Sequence, residues 1–262
     1  MPFRRRSDVP AATIGAAYER LFFTREESTQ VRRLVSQLKL TSYALFRTAM
    51  TIALHYHTSK QRVAIWANFA NRRHPEFVPT LGWYANTHIV SVGLEPDMSC
   101  ASLWLHVAAV VAEAQMYEAL PLSALWQRLG CSLDTHDTRV NFDVLPRGPQ
   151  RTSPPAVEVT VLPVAPRNMD FDIRVWENGG LFRLVAMFSV GRYQSAAVQA
   201  FLDSMRRIVT TLAETPDLRV SDCRRLVALD GDPAVISECA STCADPPDDL
   251  AKSIAAEPSF LG

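Results

Sequence analysis

Two neighbouring segments constrain the fold more than any other part of the chain. The first, TSYALFRTAMTIALHYH (41–57), places apolar residues on more than one face of a helix, as helices buried inside a protein do. The second, RVAIWANF (62–69), is short, apolar and rich in β-branched and aromatic residues, which predicts an interior strand. A buried helix followed by a buried strand favours an α/β fold in which helices cover a sheet.

The other predicted elements extend this pattern along the chain. Thr24 and Glu27 have the spacing of a capping box, which predicts a helix from there to about Leu38. Asn178-Gly179-Gly180 is a tight-turn sequence, so the strands on either side should pair as a hairpin. Further helices are predicted from Ser99, from Pro121 to near Gly130 and over 195–213, and further strands over 139–144, 156–163, 171–177 and 181–190.

We expect three parts: a leader or linker (1–20), one folded domain (21–225) and an acidic tail (226–262) that is disordered or docks to a partner. The tail holds seven acidic residues, one lysine and four prolines, and such a composition buries too little apolar surface to fold alone. Within the domain, 145–168 is a proline-rich excursion carrying one strand. Long excursions in compact domains are usually functional or disordered.

Charge and cysteine content argue against several classes of function. Lys plus Arg and Asp plus Glu each total 27, so no global basic field favours a nucleic acid or an anionic membrane. No run of about 18 apolar residues predicts a membrane span. The 5 cysteines are scattered, which argues against a disulfide framework and predicts reduced thiols in a cytoplasmic protein. Cys239 and Cys243 lack nearby partner ligands, so we expect no metal site.

The stretch WANFANRRHPEFVPTLGWYANTHIVSV (66–92) carries a further signal. It resembles the "AGR…xGxFxNT" stretch in the C-terminal lobe of nonribosomal peptide synthetase condensation domains and of their polyketide-associated acyltransferase relatives. Five segments match that lobe in order: Ala70-Asn71-Arg72 for "AGR", 81–87 for "xGxFxNT", 117–122 for "HQxxPF", 139–143 for the strand before the floor loop, and 169–173 for the "FDL" strand.

This resemblance covers about 20–225 and implies a chloramphenicol-acetyltransferase-like fold, here a single lobe built as a two-layer α/β sandwich. The chain departs from the family pattern at several places. Tyr117-Glu118 stands where the family has "HQ", and the aromatic "YxDFxxW" motif is absent. The catalytic HHxxxDG motif of the family's N-terminal lobe is also absent, because none of the six histidines has an aspartate four positions downstream.

The absent motif matters because acyl transfer from a carrier-bound thioester needs an oriented acceptor and polar groups that stabilise a tetrahedral oxyanion. Where a proton acceptor is required, an imidazole fits the task. We therefore predict no catalytic residue in this chain, which would be half of a condensation-type acyltransferase and inactive alone.

The resemblance implies non-catalytic roles for six residues. Asn86, Trp83, Tyr84 and His88 are expected to line the substrate channel, and Arg72 and Arg73 to contact a carrier protein or its phosphopantetheine arm. Guanidinium groups suit this because they match phosphate geometry. Structural roles stay open for four of them: a turn residue at Asn86, a packed or partly exposed side chain at His88, and a solvated pair at Arg72 and Arg73. No cofactor is expected to bind the chain directly.

Three functions remain open. The first is the C-terminal lobe of a condensation-type transferase, acting on carrier-bound thioesters with an HHxxxDG lobe that is on another chain or has been removed. The second is a non-catalytic module that recruits a carrier protein or another partner. The third is a homo-oligomeric acyltransferase with a site between subunits, which fits less well because single-lobed relatives carry their own histidine.

Overall fold

The computed structural model describes residues 16–128, 140–145, 171–190 and 193–227. These residues form a six-stranded mixed sheet in the order β1-β6-β5-β4-β2-β3. The strands are β1 (Ala16–Phe22), β2 (Arg62–Phe69), β3 (Asn86–Gly93), β4 (Val140–Leu145), β5 (Phe171–Asn178) and β6 (Leu181–Ser189); the helices are α1 (Arg25–Leu38), α2 (Ser42–Thr58), α3 (Cys100–Met116), α4 (Leu122–Arg128) and α5 (Ser195–Glu214).

The sheet joins two antiparallel parts through parallel strands. β6 runs antiparallel to both of its neighbours, β1 and β5, and β4 lies parallel to β5. β4 then meets β2 at one parallel register pair, Trp66 with Asn141, and β2 pairs antiparallel with β3 along its whole length. The predicted hairpin between β5 and β6 is confirmed, with Gly179 at φ 57° and Gly180 at φ 77°, as a two-residue hairpin turn requires.

The core lies between one face of this sheet and the helices. Alternate strand residues such as Ile65, Phe142, Ile173 and Leu184 are buried in a single cluster with side chains of α1, α2, α3 and α5. The intervening residues point to the opposite face, where Tyr18 and Phe22 are exposed. The predicted two-layer α/β sandwich is therefore confirmed.

A buried arginine joins α2 to the strands β2 and β3. Arg47 has no solvent exposure, and its guanidinium donates to the Tyr43 hydroxyl at 2.8 Å, the Ile65 carbonyl at 2.8 Å and the Val90 carbonyl at 3.4 Å. Burial lowers the pKa of Arg47 and raises that of Tyr43, because desolvation disfavours the charged form of each group. Arg47 thus fixes α2 against the two strands that lead into the motif region.

Strand β1 and a 3-10 helix near the end of the described chain were not predicted from the sequence. Strand β1 begins at Ala16, inside the segment 1–20 that we assigned to a leader or linker. That assignment is therefore wrong from Ala16 onward. The small and charged residues of β1 hide the alternation typical of a strand. A 3-10 helix, Val220–Leu226, also follows α5. The predicted strand 156–163, most of the excursion 145–168, and the tail beyond Val227 lie outside the described residues.

Within the described part of the chain, no helix is both long and apolar enough to cross a bilayer.

The predicted capping box is confirmed, with Thr24 Oγ1 accepting from the Glu27 amide at 3.1 Å and Glu27 Oε2 accepting from the Thr24 amide at 2.7 Å. The final helix ends at Glu214, within one residue of its predicted end.

His57 should make the domain less stable in acid. Burial lowers its pKa from 6.5 to about 4, whereas in the unfolded chain the imidazole titrates near its ordinary pKa. Between these values the unfolded state binds more protons, so this contribution to stability is complete above about pH 6.5 and is lost as the pH falls toward about 4. The loss should amount to about 3 kcal/mol.

Urea unfolding of the wild type and of His57→Leu at several pH values between 7 and 4 measures this contribution. Leucine keeps an apolar side chain against Phe201, which the imidazole contacts at a ring distance of 5.4 Å. The variant should lose less free energy of unfolding on acidification than the wild type. Equal losses in the two proteins would show that His57 does not couple folding to pH.

Candidate functional site

The motif residues lie together at the end of β2, at the beginning of β3, and in residues 117–120, which follow α3. β2 ends at Phe69 and β3 starts at Asn86, so residues 70–85 lie outside the sheet. This connection, here called the motif loop (70–85), contains one short 3-10 turn, Pro75–Phe77. Its two ends are adjacent because Phe69 and Asn86 are register partners.

Glu118 anchors the motif loop at its beginning. The residue is 5% exposed, and its carboxylate accepts from the Arg73 Nε at 2.9 Å and from the Asn71 amide at 3.3 Å. Arg73 also donates to the Gln115 carbonyl. Asn71 has a left-handed φ of 51°, which asparagine adopts more readily than most residues. The carboxylate therefore fixes the direction in which the loop leaves β2.

The backbone carbonyl of Glu118 anchors the start of β3. The Asn86 amide Nδ2 donates to this oxygen at 2.8 Å, and the His88 Nε2 lies 3.5 Å from it. His88 is 8% exposed and packs edge-on against Phe69 at a ring distance of 5.5 Å. Asn86 and His88 thus share the helix-facing side of β3, and one residue holds both ends of the motif loop.

Arg72 organises the middle of the motif loop from within. Its guanidinium donates to the Phe77 carbonyl, to the Thr80 carbonyl at 2.9 Å and to the Gly82 carbonyl at 3.2 Å. It also lies 4.4 Å from the centre of the Tyr84 ring, a cation–π distance, and Tyr84 stacks on Phe77 at 5.5 Å. Arg72 is accordingly engaged by the loop itself, while Arg73 remains about half exposed.

Gly82 permits the fold of the loop beside Tyr84. Its φ of 153° is one that residues with a side chain rarely adopt, and an added Cβ would lie 3.1 Å from Tyr84 Cε2. Glycine is therefore favoured at position 82 for two reasons: the φ angle is rare for other residues, and a Cβ would crowd the Tyr84 ring.

Three large apolar side chains project from this braced loop into solvent. Val78 is 65% exposed, Leu81 100% and Trp83 92%. Trp83 and Tyr84 were both predicted to line a channel, but the structure separates them: Tyr84 folds back over Arg72, and Trp83 points outward. The loop thus offers an apolar patch (Val78, Leu81 and Trp83) on a backbone held by several hydrogen bonds.

A hydrogen-bonded row crosses three strands on the opposite face of the sheet, and sequence analysis missed it. Thr87 Oγ1 donates to Asn68 Oδ1 at 2.6 Å, and Asn68 Nδ2 donates to Asp143 Oδ2 at 2.7 Å. Thr87 follows Asn86 directly, so alternation along β3 sends their side chains to opposite faces. That alternation was visible in the sequence, but the pairing of β2 with β4 was not.

Comparison with known families identifies this architecture. The family model named Condensation domain matches residues 7–228, which span most of the chain and all the elements described above. The chain belongs to the condensation domain family. The predicted family and its chloramphenicol-acetyltransferase-like fold are therefore confirmed.

Similar proteins are much longer synthetases. The chain is 31% identical over 125 residues to phosphinothricin tripeptide synthetase PhsC of Streptomyces viridochromogenes, a match that covers 48% of this chain and 11% of the synthetase. It is 24% identical over 222 residues to an isonitrile lipopeptide synthase of Mycobacterium tuberculosis, covering 77% of this chain and 8% of that protein. This condensation-type chain thus spans only about a tenth of these relatives.

The chain aligns with about half of each of two solved structures of similar fold. The condensation domain of the Monacolin K polyketide synthase MokA matches with a TM-score of 0.68 and 17% identity, over 79% of this chain and 49% of that one. The X-domain solved in complex with OxyB from teicoplanin biosynthesis matches with a TM-score of 0.70 and 19% identity, over 87% of this chain and 51% of that one. These likenesses show the fold.

Removing the Glu118 carboxylate should loosen the motif loop. Glu118→Ala leaves the Asn71 amide and Arg73 without their acceptor, so we expect the free energy of unfolding to fall by about 1–3 kcal/mol. Glu118→Gln keeps one acceptor oxygen and should cost less. Urea denaturation measures the stability, and hydrogen exchange at residues 71–84 measures the loosening of the loop.

Glu113→Ala serves as the matched control, because Glu113 is an exposed glutamate on α3. It should change stability by less than about 0.5 kcal/mol and leave the loop protected. If Glu118→Ala behaved like this control, the carboxylate would not be the anchor of the loop.

Proposed function

We propose that this chain is the C-terminal lobe of a condensation-type acyl or peptidyl transferase in nonribosomal peptide or related biosynthesis. It would act on carrier-bound thioesters with an HHxxxDG-bearing N-terminal lobe on another chain or elsewhere in a longer polypeptide. The observation that carries this proposal is the motif loop, braced by Glu118 and Arg72 yet displaying Val78, Leu81 and Trp83 to solvent. The half-length match to solved condensation domains supports it.

The chemistry explains why the chain needs a partner. The sequence contains no HHxxxDG motif, so the imidazole and the loop that holds it must come from the other lobe. This lobe would contribute a wall of the substrate channel and part of the carrier surface. Carrier proteins bring the phosphopantetheine arm. Of the two predicted arginines, Arg73 is the better placed to meet its phosphate, because its side chain is about half exposed even though it also pairs with Glu118, whereas Arg72 is engaged by three carbonyls of the loop.

The apolar patch fits a protein interface better than an ordinary surface. Val78, Leu81 and Trp83 lie within six positions of one loop, exposed apolar surface in a cluster often marks an interaction site, and aromatic residues such as Trp83 dominate binding energy at interfaces. The backbone beneath them is already ordered, so docking would carry a smaller entropy cost than docking of a flexible loop. We assign this patch to the contact with the N-terminal lobe.

A recruiting module is the second candidate. The X-domain of the structural comparison was solved as a complex with OxyB, so one protein of this fold associates with a separate protein. In this reading the same apolar patch would hold a partner without any acyl transfer.

Co-expression with an HHxxxDG lobe from a neighbouring reading frame, followed by purification and titration calorimetry, tests the proposal. The isolated chain should show no condensation of loaded donor and acceptor carriers by mass spectrometry, and the reconstituted pair should form product. Trp83→Ala should weaken lobe binding by about tenfold or more, the loss expected for an interface hot spot. Leu105→Ala changes a side chain that is also exposed, at 58%, but lies on α3, and should leave binding unchanged.

The results separate the readings. A complex that binds carriers but forms no product would favour the recruiting module. Turnover by the isolated chain, abolished by a substitution within it, would overturn the assignment as half an enzyme. A dimer of the chain in light scattering, disrupted by Trp83→Ala and active without a partner, would favour the homo-oligomeric alternative.

A further inference from the structure

Two cysteines that are distant in sequence meet in the core. Cys100 is the first residue of α3, and Cys223 lies in the 3-10 helix after α5. Their Sγ atoms are 3.4 Å apart although the residues are separated by 123 positions. Both are free thiols, with exposures of 1% and 0%. Buried cysteines often serve only as small apolar side chains, so the surroundings must decide whether this pair does more.

Cys223 lies in the segment 216–227, here called the strap, which is hydrogen-bonded to the start of α3. The Cys100 amide donates to the Leu218 carbonyl at 2.8 Å and the Val220 amide to the Met98 carbonyl at 3.0 Å. The Tyr56 hydroxyl donates to the Val220 carbonyl at 2.7 Å. These contacts place the two sulfurs side by side across the junction of the strap (216–227) and the start of α3, where a covalent bond would join the two segments.

We propose that Cys100 and Cys223 form a dithiol modification site that a peroxide converts to an intramolecular disulfide fastening the strap to α3. A disulfide has an S–S length of about 2.05 Å, so the sulfurs need to approach by about 1.4 Å from their present separation of 3.4 Å.

Local opening of the strap gives the oxidant access. The strap ends in a 3-10 helix, whose hydrogen-bond geometry is poorer than that of an α-helix, and such a segment can open locally without unfolding of the whole domain. Opening exposes Cys223 first, because Cys223 moves with the strap while Cys100 stays on α3. The hydrogen bond from Cys100 also lowers the pKa of the Cys223 thiol, which favours the reactive thiolate.

The reaction balances in two steps. The Cys223 thiolate attacks one peroxide oxygen, the O–O bond breaks, and Cys223 becomes a sulfenic acid as hydroxide leaves. When the strap recloses, the Cys100 sulfur attacks the Cys223 sulfur, the S–O bond breaks, and the departing hydroxide takes up a proton. Two thiols and one hydrogen peroxide give one disulfide and two waters, with two electrons passing from sulfur to peroxide.

The test uses the full chain with Cys131, Cys239 and Cys243 changed to serine, so that the proposed pair holds the remaining thiols. After hydrogen peroxide treatment and alkylation in denaturant, the intact mass should be about 2 Da lower with no alkyl group added. Peptide mapping should detect the peptides of Cys100 and Cys223 as one disulfide-linked species, and dithiothreitol should reduce this disulfide and restore both thiols. The melting temperature should rise by roughly 5–10 °C, because the bond closes a loop of more than a hundred residues.

Cys223→Ser in the same background is the matched control, and it should show neither the mass loss nor the rise in melting temperature. Its fold is checked by circular dichroism, and the peptide mapping decides the question even if this variant is unstable. Two outcomes would overturn the proposal: both thiols remaining available for alkylation after peroxide treatment, or a mass gain of about 32 Da from sulfinic acid without a cross-linked peptide.

Discussion

The geometry of the motif region depends on one buried carboxylate and the carbonyl of the same residue. Glu118 accepts from Arg73 and from the Asn71 amide where the motif loop leaves β2, and its backbone oxygen accepts from Asn86 where the chain enters β3. A buried carboxylate must be paired to be tolerated, so the residue can occupy this place only if the loop wraps around it. Burial and loop conformation therefore require each other.

Much of the fold follows from local composition. α2 was predicted because its apolar residues cover more than one face, β2 because it is short, apolar and rich in β-branched and aromatic residues, and the β5–β6 hairpin because Gly179 and Gly180 adopt positive φ at little cost. β1 was missed because pairing with β6, rather than its own composition, makes Ala16–Phe22 a strand. Such long-range pairing overrides local preference.

The candidate site was less accessible to sequence analysis for a related reason. The motif resemblance named Trp83 and Tyr84 together, but the two differ in the fold: Tyr84 packs against Arg72 and Phe77, whereas Trp83 is 92% exposed. The partner of Arg73 is Glu118, 45 positions away. Neither the stacking nor this ion pair has a local signature, so only the assembled fold reveals which motif residues brace the loop and which face outward.

The motif loop combines a backbone held by Arg72 with two large apolar side chains, Leu81 and Trp83, that are exposed to solvent. A lobe that worked alone would gain stability by turning Leu81 and Trp83 inward, since burying a large apolar side chain stabilises a protein by about 1.5–3 kcal/mol. Instead, hydrogen bonds from Arg72 to three carbonyls of the loop hold the backbone in a form that keeps both side chains in solvent. Under the proposed function, the apolar surface is covered in a complex, where the ordered loop reduces the entropy lost on binding. In that proposal, the same residues that stabilise the motif loop keep Leu81 and Trp83 available to the partner.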